Sequence, residues 1–278
     1  MKIIEVTRDD QRFQAIDFLR RERALNLYLY EGLASKRPGS VNYLLQSFRG
    51  ISGAAHTRSG THFHVFLSER IPERTEELVG DFLLKSFPRF SSFFGDSLCV
   101  ERLAALDRMG NVKISPFLFM ELAREDFKPG GAVTDCLPVR GGPEHAEQLL
   151  PLQIQYEVEE IGVSRSSIDR EKTLMSLKRR LSRGEVTVLF RGSRPLACAG
   201  LNARFEGTCQ LGSIYVVPEL RGKGLGSGVV SAHVERMFER YGRVVLFVGE
   251  KNSAARRVYE KLGFRTTGGL AHAKRVTL

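Results

Sequence analysis

The chain has 278 residues, 42% of them hydrophobic and 27% charged, an ordinary globular composition with length for one large or two medium cores. No run of about 18 apolar residues occurs, which excludes a helical membrane span. The net charge of +10 divides unevenly: Met1–Gly131 holds 19 basic and 17 acidic residues, and the remainder 23 and 15, so the second half carries the excess. Such a field favours an anionic partner. Scattered Arg and Lys, no Trp and no aromatic nucleic-acid-binding pattern argue against nucleic acid. Cys99, Cys136, Cys198 and Cys209 form no C-x-x-C pair, which disfavours a zinc or redox motif and fits a reducing, cytoplasmic setting. Met1-Lys2-Ile3-Ile4-Glu5 runs directly into a strand-like pattern and does not read as a signal peptide.

In chain order, Lys2–Val6 reads as a strand. A helix capped by Asp9 or Asp10 follows through Leu19, then a short helix over Asn26–Leu33. Lys36-Arg37-Pro38-Gly39 is a loop. Strands are expected at Val41–Phe48, Gly50–Thr57 and Thr61–Ser68. Pro72 opens a helix that Pro88 ends. A strand at Phe90–Phe94, a helix at Leu98–Asp107 and a strand at Asn111–Leu122 complete this half. His62 and His64 share a strand face, with His56 on the strand before, but no third ligand stands at a defined spacing, so no metal is expected.

Phe127-Lys128-Pro129-Gly130-Gly131 reads as a linker. The order then restarts: strand Ala132–Val139, helix Pro143–Glu160, a loop with Gly162, helix Ile168–Ser182, and strands at Val186–Phe190, Pro195–Asn202 and Thr208–Val217. After a glycine-rich turn, Val229, Val230, His233, Val234, Met237 and Phe238 recur at helical spacing. Val244–Val248 is a strand, Asn252 caps a helix that Gly263 stops, and strands are expected near Phe264 and at Ala271–Thr277.

The strand–turn–helix around Arg221-Gly222-Lys223-Gly224-Leu225-Gly226-Ser227 is the informative stretch. Glycines let a ligand approach the backbone, and the helix start offers unpaired N–H groups that suit a phosphate. A P-loop needs Ser or Thr after Gly222-Lys223, where Gly224 stands. The dinucleotide fingerprint needs Gly at Ser227 or Val229. What remains resembles the acetyl-CoA loop of the GNAT (GCN5-related N-acetyltransferase) superfamily, Gln/Arg-x-x-Gly-x-Gly/Ala, matched by Arg221, Gly224 and Gly226. Asn252 through Phe264 resembles that family's second pattern, N-x-x-A-x-x-x-Y-x-x-x-G-F.

The resemblance spans Ala132–Leu278 and implies an α/β (α+β) fold with a mixed, mostly antiparallel sheet flanked by helices. The first half shows the same element order, so two tandem GNAT-like domains are expected, residues 1–131 and 132–278. The first has Ser68–Thr75, without glycine, where a phosphate loop would lie, and reads as a copy that has lost its cofactor. By resemblance, the backbone of Tyr215, Val216 and Val217 pairs with the pantetheine arm of acetyl-CoA as an added strand would. Arg221, Gly222, Lys223, Gly224, Leu225, Gly226 and Ser227 hold its pyrophosphate, and Asn252 contacts the cofactor. Helix capping explains Asn252 equally well. Tyr259 matches the family's general acid, and packing of a half-buried helix Tyr is the structural alternative.

A lysine-type amine has a pKa near 10.4 and needs a base. The strand positions open to that role are Gln210, Ser213 and Phe247, none a carboxylate. Glu157, Glu159, Glu160, Glu206 and Glu250 lie nearby in sequence. The expected function is N-acetyl transfer from acetyl-CoA to a primary amine by direct attack, with one acetyl-CoA per chain. The alternatives are an amino-acid N-acyltransferase using a longer acyl-CoA, and an acyl-CoA-binding module without turnover. The acceptor, the acyl length and the oligomeric state stay open. Substrate pockets built from loops such as Glu157–Arg170 do not reveal their shape in sequence.

Overall fold

The computed structural model describes residues 1–22, 25–35, 39–69, 71, 74–131, 133 and 135–276. Two compact units emerge. Unit 1 comprises Met1–Phe119, Phe247–Lys251 and Thr267–Leu278; unit 2 comprises Met120–Leu246 and Asn252–Thr266. A single cut at Gly131 does not reproduce this division, because two later segments fall in unit 1 and Met120–Gly131 falls in unit 2. The stretch expected as a linker is packed: Lys128 N–H donates to Leu262 C=O at 3.1 Å and Gly130 N–H to Ser231 Oγ at 2.9 Å.

In unit 1, β1 (Lys2–Glu5), α1 (Asp9–Arg21) and α2 (Leu27–Ala34) are followed by β2 (Val41–Ser47), β3 (Gly50–Thr57) and β4 (His62–Leu67). Then come α3 (Thr75–Ser86), β5 (Ser92–Asp96), α4 (Ser97–Ala104) and β6 (Val112–Ala123), whose last four residues lie in unit 2. Arg8, not Asp9 or Asp10, is the N-cap of α1. Gln11 Oε1 accepts from Arg8 N–H at 3.1 Å and leaves the two aspartates in the first turn, where they suit the helix dipole. The proposed Lys36–Pro38 loop segment and the Pro72 start lie outside the described residues. A final strand, β12 (Arg265–Arg275), is one element where the sequence suggested two. Gly268 sits in it because a Cβ there would strike Leu25.

The strand order of unit 1 is β1-β2-β3-β4-β5-β12, antiparallel except for the parallel pair β4–β5. Phe63, Val65, Phe93, Val79, Leu83, Val100 and Leu103 form its core. The histidines have local partners: His56 Nδ1 meets Asn42 Oδ1 at 2.9 Å, His62 meets Ser92, and His64 lies beside Asn26 and the Tyr28 ring. Among the described residues no group of three or more His, Cys, Asp or Glu could hold a metal.

Unit 2 begins with β7 (Leu137–Arg140), shorter than the strand expected from Ala132; Ala132 and Thr134 lie outside the described residues, and Asp135 takes a left-handed turn conformation, φ 59°. The expected long helix over Pro143–Glu160 is three pieces: a 3₁₀ turn Pro143–His145, α5 (Ala146–Tyr156) and a π turn Glu157–Ile161. α6 (Arg170–Ser182) starts at Asp169, whose carboxylate accepts from Lys172 N–H at 3.0 Å. β8 (Val186–Arg191), β9 (Arg194–Phe205), β10 (Thr208–Val216), α7 (Leu225–Phe238), β11 (Arg243–Gly249) and α8 (Ser253–Lys261) follow. Phe247–Gly249 of β11 count with unit 1. The order β11-β10-β9-β8-β7 is antiparallel except for β10–β11. Leu225, Val229, Val230, Val234, Met237 and Phe238 anchor α7, roughly 1.5–3 kcal/mol each for full burial. Each unit thus has one parallel pair bridged by a helix, the connection that parallel strands require.

Candidate active site

The site begins where β10 leaves its neighbour. The β10–β11 register pairs only Thr208↔Arg243, Cys209↔Val244 and Gln210↔Val245, yet β10 continues to Val216. On its other edge β10 stays paired to β9, with a register shift between Gly212 and Tyr215. Ser213 sits in that bulge at φ 50°, an uncommon conformation for a residue with a Cβ. Val217 N–H donates to Leu196 C=O on β9 at 3.0 Å, so the preceding carbonyl, Val216 C=O, faces away from β9. Arg221 Nε donates to that carbonyl at 3.1 Å.

After Val217 and the 3₁₀ turn Pro218–Leu220, the chain enters the glycine turn. Gly222 and Gly224 take φ of 77° and 83°, and Gly224 is the N-cap of α7. Glycine is required at both for backbone reasons. Gly226 is different: its backbone is helical, and an added Cβ would meet only Val216 Cγ2 at 3.7 Å. Lys223 is exposed, Leu225 is buried in the core and Ser227 is half-buried. The α7 start therefore presents free N–H groups next to residues without bulk.

Arg221 is fixed on three sides. Its guanidinium reaches Glu159 Oε2 at 2.6 Å, lies 5.3 Å from the Tyr215 ring centroid, and its Nε holds Val216. Glu159 comes from the π turn and is held below the usual carboxylate range by Gln155 and Arg221. Tyr215 Oη is buried beside this pair without a hydrogen bond of normal geometry.

Tyr259, on α8, is 6% exposed and its ring packs on Phe264 at 5.8 Å. Burial pushes its phenol above the ordinary value, and the charges of Glu160 and the neighbouring Tyr156 act in the same direction. Tyr156 is raised by burial too, opposed by its hydrogen bonding to Ser213. Asn252 caps α8 through its side chain, which accepts from Ala255 N–H at 3.1 Å. That cap accounts for the residue structurally.

Among the positions considered for the base, Gln210 is 1% exposed with its Nε2 unpartnered, and Ser213 Oγ donates to Asn202 Oδ1 at 3.3 Å. Phe247 packs in unit 1 against Tyr28, Phe94 and Phe117, and Glu250 also falls in unit 1. Glu157 accepts from Gln153 at 3.0 Å, Glu159 is held by Arg221, and Glu206 lies in the exposed β9–β10 turn. Glu160 alone acts electrostatically on Tyr259, Tyr156 and Arg221 together. Tyr156 was not legible as a site residue. Its i, i+4 relation to Glu160, just before the Gly162 stop, was the available signal.

Residues 153–264 match the family model described as the Acetyltransferase (GNAT) family. The matched GNAT stretch falls mostly in unit 2. Over 63 residues the chain is 40% identical to the mycothiol acetyltransferases of Salinispora arenicola and Corynebacterium aurimucosum, a stretch covering 21% of this chain and only 20% and 21% of those relatives. A tandem GNAT protein from the clavulanic acid biosynthesis pathway shares the fold across 100% of this chain and 99% of its own, with a TM-score of 0.64 and 14% identity. A GNAT-family acetyltransferase from Colwellia psychrerythraea matches 99% of this chain and 100% of its own, with a TM-score of 0.61 and 12% identity. The fold is that of two tandem GNAT-like domains. GNAT enzymes use acetyl-CoA, and among the described residues no helix is long and apolar enough to cross a membrane.

Proposed function

We propose that this protein transfers an acetyl group from acetyl-CoA to a primary amine by direct attack, in unit 2. The observation that carries this reading is the parting of β10 from β11 after Gln210, directly before a glycine-capped helix start. The unpaired stretch of β10 suits the amides of a pantetheine arm as an added strand would. The pyrophosphate fits the α7 N-terminus, where Gly222 and Gly224 supply the turn and Gly226 the clearance. Arg221, Lys223 and Ser227 flank it, and Leu225 anchors the helix beneath.

In the reaction a C–N bond forms and the thioester C–S bond breaks. The attacking amine gives up a proton, for which Glu160 is the proposed acceptor. The departing sulfur takes a proton, for which Tyr259 is the proposed donor, since its raised pKa keeps the phenol protonated through neutral pH. The test is a screen of amines, amino acids and peptides for thiol release from acetyl-CoA, with the acetylated product identified by mass. Acetyl-CoA binding without product from any amine would overturn the catalytic reading in favour of a binding module. Faster turnover of a longer acyl-CoA would overturn the acetyl assignment.

A further inference from the structure

On the α5–α6 side of unit 2, a cationic side chain stands without a counter-ion. Arg180, on the last turn of α6, has a fully buried Nη2 with no hydrogen-bond partner. Among the described residues its guanidinium makes no ion pair, and the nearest acidic neighbour in sequence, Glu185, pairs instead with Arg204 at 3.4 Å. Arg180 Nη2 packs against Gly200, where an added Cβ would force the guanidinium to shift. A buried guanidinium N–H without a partner is costly unless an acceptor answers it.

The guanidinium borders a narrow cavity of about 10 Å³, room for one water-sized group, lined by Leu149, Leu177 and Val186 as well as Gln153, Cys198 and Ser213. Ser213 is the bulge residue of β10. It acts on the Tyr156 phenol, which in turn is felt by Tyr259. Arg180 itself acts electrostatically on Tyr156 and Cys198. Arg180 is thus connected to the proposed acid, Tyr259, through Ser213 and Tyr156.

We infer that Arg180 receives a carboxylate of the acceptor, so that the amine substrate is an amino acid or a related amino carboxylate. This rests on the acyl-transfer reading of the same site. A carboxylate oxygen is water-sized and takes the place at Nη2, where a guanidinium binds carboxylates through parallel N–H donors. Amines without a carboxylate leave the buried Nη2 unanswered and bind more weakly.

The experiment compares amino acids with their amides and decarboxylated amines as acceptors at saturating acetyl-CoA. In parallel, calorimetry measures binding of N-acetyl amino acids and N-acetyl amino amides to the protein loaded with CoA. The wild type is expected to prefer the carboxylate by roughly ten- to a hundredfold, in KM and in calorimetric affinity. Arg180→Gln is expected to erase the preference and leave the amides unchanged. Because Arg180→Gln can perturb packing, Gly200→Ala provides a second variant: its Cβ displaces the guanidinium and is expected to give the same loss. Acetyl-CoA affinity checks that both variants fold. Equal handling of carboxylates and amides by the wild type, or a preference that survives both variants, would overturn the inference. Carboxylate-selective binding without any turnover would support Arg180 and reject the catalytic reading, which keeps the two separable.

Discussion

At the scale of single residues, Gly226 and Tyr259 offer the sharpest tests. Gly226 has helical backbone and open space around it, and valine is no worse a helix former than glycine, so Gly226→Val leaves the fold intact. Its added methyls then stand where a pyrophosphate would approach. Acetyl-CoA affinity measured by calorimetry is expected to fall at least tenfold; unchanged affinity in a folded variant would remove the loop from the site. Gly224→Val is the poorer experiment, because φ of 83° makes any loss ambiguous between strain and binding. Tyr259→Phe keeps the contact with Phe264 and removes only the hydroxyl. Turnover is expected to drop by about a hundred- to ten-thousandfold with little change in cofactor affinity. The pH profile gives a second check. A phenol raised above its usual value stays protonated past pH 10, so no basic limb from Tyr259 is expected between pH 7 and pH 10. Glu160→Gln is expected to lower kcat/KM at neutral pH and to move the profile upward, since the amine must then shed its proton to water. An unshifted profile would return Glu160 to the surface.

At the scale of elements, the two parallel strand pairs behave differently. In unit 1, β4–β5 is paired over His62↔Ser92 through Val65↔Gly95, and a Cβ at Gly95 would collide with Val65 C=O. In unit 2, β10 outruns its partner by six residues, Leu211–Val216. The closed pair carries an aromatic row in register, His56↔His64↔Phe94↔His272 across β3, β4, β5 and β12. Burial, and then the neighbouring His56, His272 and His62, push His64 down to about 3. His62 and His272 are lowered too, chiefly by burial. These groups are neutral in the fold and protonate near 6.5 when unfolded. Their stabilising effect is therefore complete above pH 6.5 and is lost as pH falls from 6.5 toward 3. For His64 alone the full loss is on the order of 5 kcal/mol. Denaturant midpoints measured from pH 7.5 to pH 4 are expected to fall steeply, and His64→Phe to flatten the curve. A parallel fall in the variant would assign the effect elsewhere.

At the scale of the whole molecule, the question is how many cofactors one chain takes. Unit 2 offers an unpaired strand edge, a left-handed glycine turn and a helix start. Unit 1 offers a paired strand and a helix, α3, whose first turn holds Glu76 and Glu77, which would repel a pyrophosphate. One acetyl-CoA per chain is expected. Calorimetric titration should give a single site, abolished by Gly226→Val. Two sites, of which one survives that substitution, would show that unit 1 binds the cofactor.

The sequence by itself determined the element types, the two-fold repetition of their order and the residues of the glycine turn. These follow from local causes: left-handed positions need glycine, caps need short acceptors, and periodicity of 2 or 3.6 marks the buried face. Breaks within a periodic stretch were less legible. The π turn at Glu157–Ile161 was hidden in an apparently continuous helix, and Gly268-Gly269 looked like a strand end while serving a close approach to Leu25 and Ser97. Only the tertiary structure assigned Thr267–Leu278 to unit 1, located the parting of β10 from β11 after Gln210, and linked Tyr156, Glu159, Glu160 and Arg180 to Ser213, Tyr215 and Tyr259. Strand partnership and side-chain convergence depend on residues far apart in the chain. Their energies come from burial and charge in a shared interior, and no local window of sequence contains that interior.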